Sequence, residues 1–254
     1  MYNKNTNQKQ YYKFVSRKNK YSDKNVTLRY EDSIITDDER CANIFSDFFS
    51  SVFTTGESNT NVDMSKIPNY PEMPDIEIQE PTIREALEHL DTSKSTGPDE
   101  IPALILKKFA HIFVPILSII FRRSYAEGVV PKEMKSANVV PIHKSADKTE
   151  PGNYRPVSLT PIISKIFERI IKNSIENHVE NHQILSKYQH GFRKGHSTST
   201  NLISFTNDVC NIANQSQSIS IIYTDFRKAF DCVPHDLLLL KIARYGIREL
   251  TQIG

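Results

Sequence analysis

Asp225 stands at the end of an apolar run, in the segment SISIIYTDFRKAFDCVPHDLLLL at residues 218–240. Ile219, Ile221, Ile222 and Tyr223 read as a buried strand over 218–226, and a carboxylate there is costly unless something pairs with it or coordinates it. Strand alternation puts Asp225 on the side of Tyr223, Ile221 and Ile219, where the chain turns. Open α/β sheets place ligand-binding groups at such strand ends. From this residue alone two readings stay open: a ligand for a cation, or a cap on the turn before the next helix. Asp231 precedes Pro234, where a short acidic side chain suits a helix N-terminus.

Lys144 and Arg155 form a second constellation. They flank the turn-forming SADKTEPG, between the β-prone runs SANVVPIHK and NYRPVSL. On such a hairpin both can project into one space and hold phosphate, the guanidinium bidentately and the ammonium as a point charge. Solvated surface charge is the competing reading. GFRKG, residues 191–195, is a glycine-flanked basic turn without the lysine-serine ending of a Walker loop. His143, His190, His196 and His235 lack metal-ligand spacing, and GESNTNVDMS lacks the calcium-loop pattern. A phosphotransferase reading of YTDFRKA fails because no second Asp follows two residues on.

The elements that must position these residues are mostly helical. Thr36 and Glu39 make a capping-box pattern before an amphipathic helix at about 37–53, and Thr82 and Glu85 repeat it before Ile83, Leu87 and Leu90. A proline-rich polar stretch between them reads as an extended connector. Core helices are expected at about 103–110 and 112–127, stopped by Gly128. A long amphipathic helix then follows Thr160 and Pro161, with another at about 199–213 and a last one from 234 to 245. The fold class is α+β (mixed α/β). Three segments are expected: a polar linker at 1–35, a helix and connector at 36–80, and the main domain at 81–254.

The chain has 254 residues, 38% hydrophobic and 24% charged, enough for a substantial core. The net charge of +2 hides asymmetry: residues 101–254 carry 20 bases against 12 acids, and residues 71–100 carry 2 against 9. A basic C-terminal part permits a polyanionic partner. Cys41, Cys210 and Cys232 form no CxxC pair, so neither a zinc ribbon nor a disulfide framework is indicated and a reducing compartment is the simpler setting. No apolar run reaches the roughly 20 residues of a membrane helix, and the polar basic N-terminus shows no secretory signal. The expectation is an intracellular protein, nuclear or cytoplasmic, without a membrane or an assigned protein partner.

In order and spacing, KSTGPDEIP (94–102), VVPIHK (139–144), NYRPVSL (153–159), SKIFERI (164–170), QHGFRKGHST (189–198) and TDFRKAFDCVPHDLLLLKI (224–242) resemble the reverse transcriptase of non-LTR, LINE-type retrotransposons. The resemblance covers about residues 80–254. Upstream, ITDDERCANIFSDFFSSVFT (35–54) is similar to the segment linking such a polymerase to its preceding endonuclease. The resemblance implies fingers and a partial palm. It makes Asp225 a metal-binding catalytic carboxylate and gives the backbone carbonyl of Phe226 to Mg²⁺. It places Lys144 and Arg155 at the incoming triphosphate, Phe230 against the sugar 2′-OH, Gln189 near the nucleotide pocket, and Gly191, Phe192 and Arg193 along the template. The implied partners are an RNA template, a DNA primer and deoxynucleoside triphosphates, joined by two-metal nucleotidyl transfer.

Two departures bear on packing and charge: Met134 replaces the family's usual aromatic, and Arg227 stands two residues after Asp225. A third bears on catalysis. No AspAsp pair follows Asp225 in these 254 residues, so the chain by itself is expected to be catalytically incomplete. The alternative is a non-enzymatic RNA-binding remnant using the basic C-terminal part with Tyr188, Phe192 and Phe226 for stacking.

Overall fold

The computed structural model describes residues 26–31, 33–52, 67–226, 229–230 and 232–247. Two units divide the chain: Met1–Phe53 with Val139–Val157, and Thr54–Asn138 with Ser158–Gly254.

In the first unit, β1 (Leu28–Tyr30) and β2 (Ser33–Ile35) pair antiparallel with Leu28 opposite Ile35. They lie where the sequence suggests linker, and they order because Leu28 and Ile35 are buried with Cys41 and Phe45. Those two residues belong to α1 (Asp38–Ser50). Its N-cap is Asp37 rather than the expected Thr36: the Asp37 carboxylate accepts the Arg40 N–H at 2.9 Å. Aspartate caps as well as threonine does, and Asp38 and Glu39 add favourable charge in the first turn.

The expected hairpin is present. β3 (Asn138–His143) pairs with β4 (Tyr154–Leu159), and a 3₁₀ turn at Pro151–Asn153 precedes β4. The Tyr154 ring meets Phe45 edge-on at 4.9 Å. That contact fixes the tip end of the hairpin on α1.

The second unit is helical: α2 (Glu80–Glu88), α3 (Ala103–Lys108), α4 (Ala110–Glu127), α5 (Lys132–Lys135), α6 (Ile162–Asn181), α7 (Thr198–Asn214) and α8 (His235–Arg244). Ile83 and Leu87 of α2, Leu106 of α3, Val114, Leu117 and Phe121 of α4, and Ile166 and Phe167 of α6 build one core. Phe121 and Phe167 stack at 4.9 Å. Gly128 ends α4 at φ 64°, as its position predicts. Pro115 is accommodated inside α4. The stretch 67–79 forms neither helix nor strand, and it packs: Ile76 and Ile78 are buried, and the Ile78 carbonyl accepts Arg122 Nε at 2.9 Å.

Gly97 explains the glycine of KSTGPDEIP. A Cβ there would stand 2.5 Å from the Pro161 nitrogen and 2.7 Å from the Thr160 carbonyl carbon. The loop before α3 thus lies backbone to backbone against the entry to α6.

One expectation fails. Residues 218–226 form no strand, and Ile219, Ile221, Ile222, Tyr223 and Phe226 are exposed. An apolar run becomes a buried strand only where neighbouring strands take its N–H and C=O groups. Among the described residues the only sheets are β1–β2 and β3–β4, so none lies beside it.

Candidate nucleotide and nucleic-acid site

Lys144 and Arg155 are both exposed near the tip of the β3–β4 hairpin. The Lys144 N–H donates to the Asn153 carbonyl at 2.8 Å, closing the ladder two residues before Arg155. The tip is braced from β1: the Arg29 N–H donates to the Thr149 carbonyl at 2.8 Å, and the Arg29 guanidinium lies 3.8 Å from Glu150 and 4.0 Å from Asp147. The Asp147 carboxylate also accepts the Thr149 N–H at 2.9 Å, which holds its pKa below the usual range. With the local acids engaged by Arg29 and the loop backbone, the two cations can take phosphate oxygens.

The loop between α6 and α7 carries the next group. Phe192 has a left-handed backbone at φ 56°, and its ring is 91% exposed. Gln189 Nε2 reaches the Gly191 carbonyl at 3.4 Å, and a Cβ on Gly191 would meet nothing within 4 Å. The Arg193 guanidinium grips Glu180 of α6 bidentately, Nε at 2.9 Å and Nη2 at 3.0 Å, and its Nη1 donates to the Ser186 carbonyl at 3.2 Å. Those bonds push the Glu180 carboxyl below its ordinary pKa and raise that of Arg193. Arg193 therefore fastens the loop to α6. Glu180 carries no motif signal that would reveal this partnership. The loop's other end is fixed by a capping box at α7, in which Ser197 and Thr200 satisfy each other's backbone N–H groups.

Asp225 and Phe226 lie in the exposed extended segment after α7, where the Tyr223 ring stands 6.1 Å from Phe205. Phe230 is exposed as well, and its ring meets Phe192 edge-on at 5.8 Å. The structure thus joins two residues that the sequence places in separate motifs. Arg227 and Asp231 lie outside the described residues.

This mixed scaffold of packed helices with small strand pairs is consistent with a polymerase fingers and palm segment. Residues 142–253 match the reverse transcriptase (RNA-dependent DNA polymerase) family. The chain is similar to the probable RNA-directed DNA polymerase from transposon BS of Drosophila melanogaster, 29% identical over 82% of this chain and 24% of that protein. It is also similar to the probable RNA-directed DNA polymerase from transposon X-element of the same fly, 30% identical over 63% of this chain and 18% of that protein. The RNA-directed DNA polymerase from mobile element jockey of that species is 29% identical over 64% of this chain and 18% of that protein. These matches make the chain similar to the reverse transcriptases of non-LTR, LINE-type retrotransposons. It spans about a quarter or less of the length of these relatives.

Proposed function

We propose that these residues form the fingers and the start of the palm of a polymerase that copies RNA into DNA by two-metal nucleotidyl transfer. The Phe192–Phe230 contact carries the reading most directly, because it brings a template-loop residue against the residue expected to face the sugar of the incoming nucleotide. Phe230 then excludes a 2′-OH by bulk, Lys144 and Arg155 neutralise the triphosphate, and Gln189 lies beside the nucleotide. Gly191 and Phe192 run along the template, with Arg193 holding their loop in place.

Among the described residues no group of three His, Cys, Asp or Glu side chains gathers around one point. Asp225 with the Phe226 carbonyl still fits Mg²⁺, which takes one or two carboxylates and completes its octahedron with water and substrate phosphates. When bound, the metal supplies Lewis acidity at the primer hydroxyl and the departing pyrophosphate. No AspAsp pair follows Asp225 in these 254 residues. The purified chain alone is therefore expected to give no primer extension, whereas a chimera carrying residues 1–254 in place of the matching stretch of the jockey polymerase extends primers. Asp225→Ala in the chimera should cut extension about 10²–10³-fold, the scale of removing one preorganised charge-stabilising group. A variant chimera as active as its parent refutes the assignment.

RNA binding without catalysis is the second reading, favoured by the exposure of Tyr188, Phe192 and Phe226. It predicts salt-sensitive RNA binding by the isolated chain.

A further inference from the structure

A cavity of about 450 Å³ opens between the C-terminal end of α2, the loop that follows it and α6. Leu90, Ile162 and Ile166 give it an apolar floor, and Lys94, Lys165 and Arg169 bring three cations to it, with Asp91 the one acid among its lining residues. Lys165 and Arg169 stand four residues apart on α6, hence on one face of the helix. None of the three cations makes an ion pair within 4.0 Å among the described residues. Mutually repelling like charges gathered over an apolar floor are suited to a ligand that is flat and apolar at one end and anionic at the other.

We propose that this cavity binds one unstacked nucleotide of a single-stranded RNA, with its base on the aliphatic floor and its flanking phosphates on Lys165, Arg169 and Lys94. The size suits it, since small-molecule pockets run from about 300 Å³ upward. Inorganic phosphate would leave the floor unused, and a purely apolar ligand would leave three cations desolvated without a partner. The site rests on the reading of the chain as a nucleic-acid polymerase segment. None of its lining residues is among those assigned above to the triphosphate, the metal or the template loop.

The test is fluorescence anisotropy of the full 254-residue chain with a labelled oligouridylate of about 12 nucleotides, within the span a single-strand site covers. Replacing both α6 cations (Lys165→Ala with Arg169→Ala) should weaken binding about tenfold at low salt and lower the slope of log K against log salt by about 1.4, the single-strand value for two phosphate contacts. Lys172→Ala, on the same helix but ion-paired to Glu176 at 3.2 Å, should change neither. An oligomer carrying photoactivatable 4-thiouridine should crosslink within residues 89–95 or 159–169. Unchanged affinity and slope in the double variant, with binding that instead falls when Lys144 and Arg155 are replaced, overturns the cavity assignment and leaves the polymerase reading intact. Absence of RNA binding by the unmodified chain overturns both. Displacement of the oligomer by inorganic pyrophosphate as readily as by unlabelled RNA overturns the RNA assignment in favour of a free-phosphate site.

Discussion

Replacing Gly97 by alanine puts a methyl group into backbone. Its Cβ would stand 2.5 Å from the Pro161 nitrogen, 2.6 Å from the Pro161 Cα and 2.7 Å from the Thr160 carbonyl carbon. None of these atoms belongs to a flexible side chain, and all of them lead into α6, whose Ile162, Ile166 and Phe167 are core residues. Relief requires the loop to withdraw or the head of α6 to shift, and overpacking of that kind costs about 1–3 kcal/mol. Against it stands the entropic gain of removing a glycine from the unfolded chain, about 0.4–1 kcal/mol. The net loss is then about 1–2 kcal/mol, or a fall in melting temperature of about 2–8 °C for a chain of this size. Urea and thermal unfolding followed by circular dichroism read both quantities. Gly152→Ala is the control, because the nearest atom to its Cβ is the Phe48 ring edge at an ordinary 3.6 Å. A Gly97→Ala chain as stable as its parent, or one no worse than Gly152→Ala, refutes the close approach as the reason for this glycine.

Glu180 is depressed by Arg193, so its contribution to holding the α6–α7 loop is complete above the ordinary carboxylate value of 4.5 and is lost as pH falls through its lower folded value. The protection factors of amide exchange across residues 186–196 should therefore stay constant from neutral pH down to about 4.5 and fall below it; in Glu180→Gln the loop should be loose throughout and the pH step gone. Cys41 is buried, and burial pushes its thiol pKa up, while Cys210 and Cys232 are exposed. Maleimide labelling at neutral pH should modify two thiols quickly, and the third only under denaturant. Fast labelling of all three would contradict the packing of α1 against the β1–β2 hairpin.

Much of the helical scaffold was legible because its signals are local. The apolar spacing of α4 and α6 and the stop at Gly128 appear where periodicity and capping chemistry place them. The β3–β4 hairpin was legible from two β-prone runs around a turn. What escaped depends on partners distant in the chain. Leu28 lies next to a polar stretch and gives no hint that Cys41 and Phe45 will bury it. The 218–226 run is rich in β-prone Ile, Tyr, Thr and Phe, yet strand formation is decided by neighbours rather than by propensity. At the candidate site, Lys144 and Arg155 follow from hairpin geometry. The Arg193–Glu180 clamp does not, because nothing in a charged helix face marks which carboxylate a loop arginine will choose.

The backbone around Gly246 carries one more consequence. Its carbonyl accepts the Met73 N–H at 2.9 Å, the Arg244 carbonyl accepts the Tyr70 N–H at 3.1 Å, and Arg244 and Asn69 meet across a separation of 175 residues. Buried His178 of α6 joins the same junction, its Nε2–H donating to the Tyr245 carbonyl at 2.7 Å. A ribosome making this chain exposes the stretch 67–79 long before residues 244–247 emerge. At about 5–20 residues per second the early stretch waits of order ten seconds or more for its partner. The helices between can dock on one another meanwhile, but the junction that ties the first described residues of the second unit to its last described ones cannot close until synthesis has passed Gly246. Nascent chains released before that point should present an unlatched, protease-sensitive segment at 67–79.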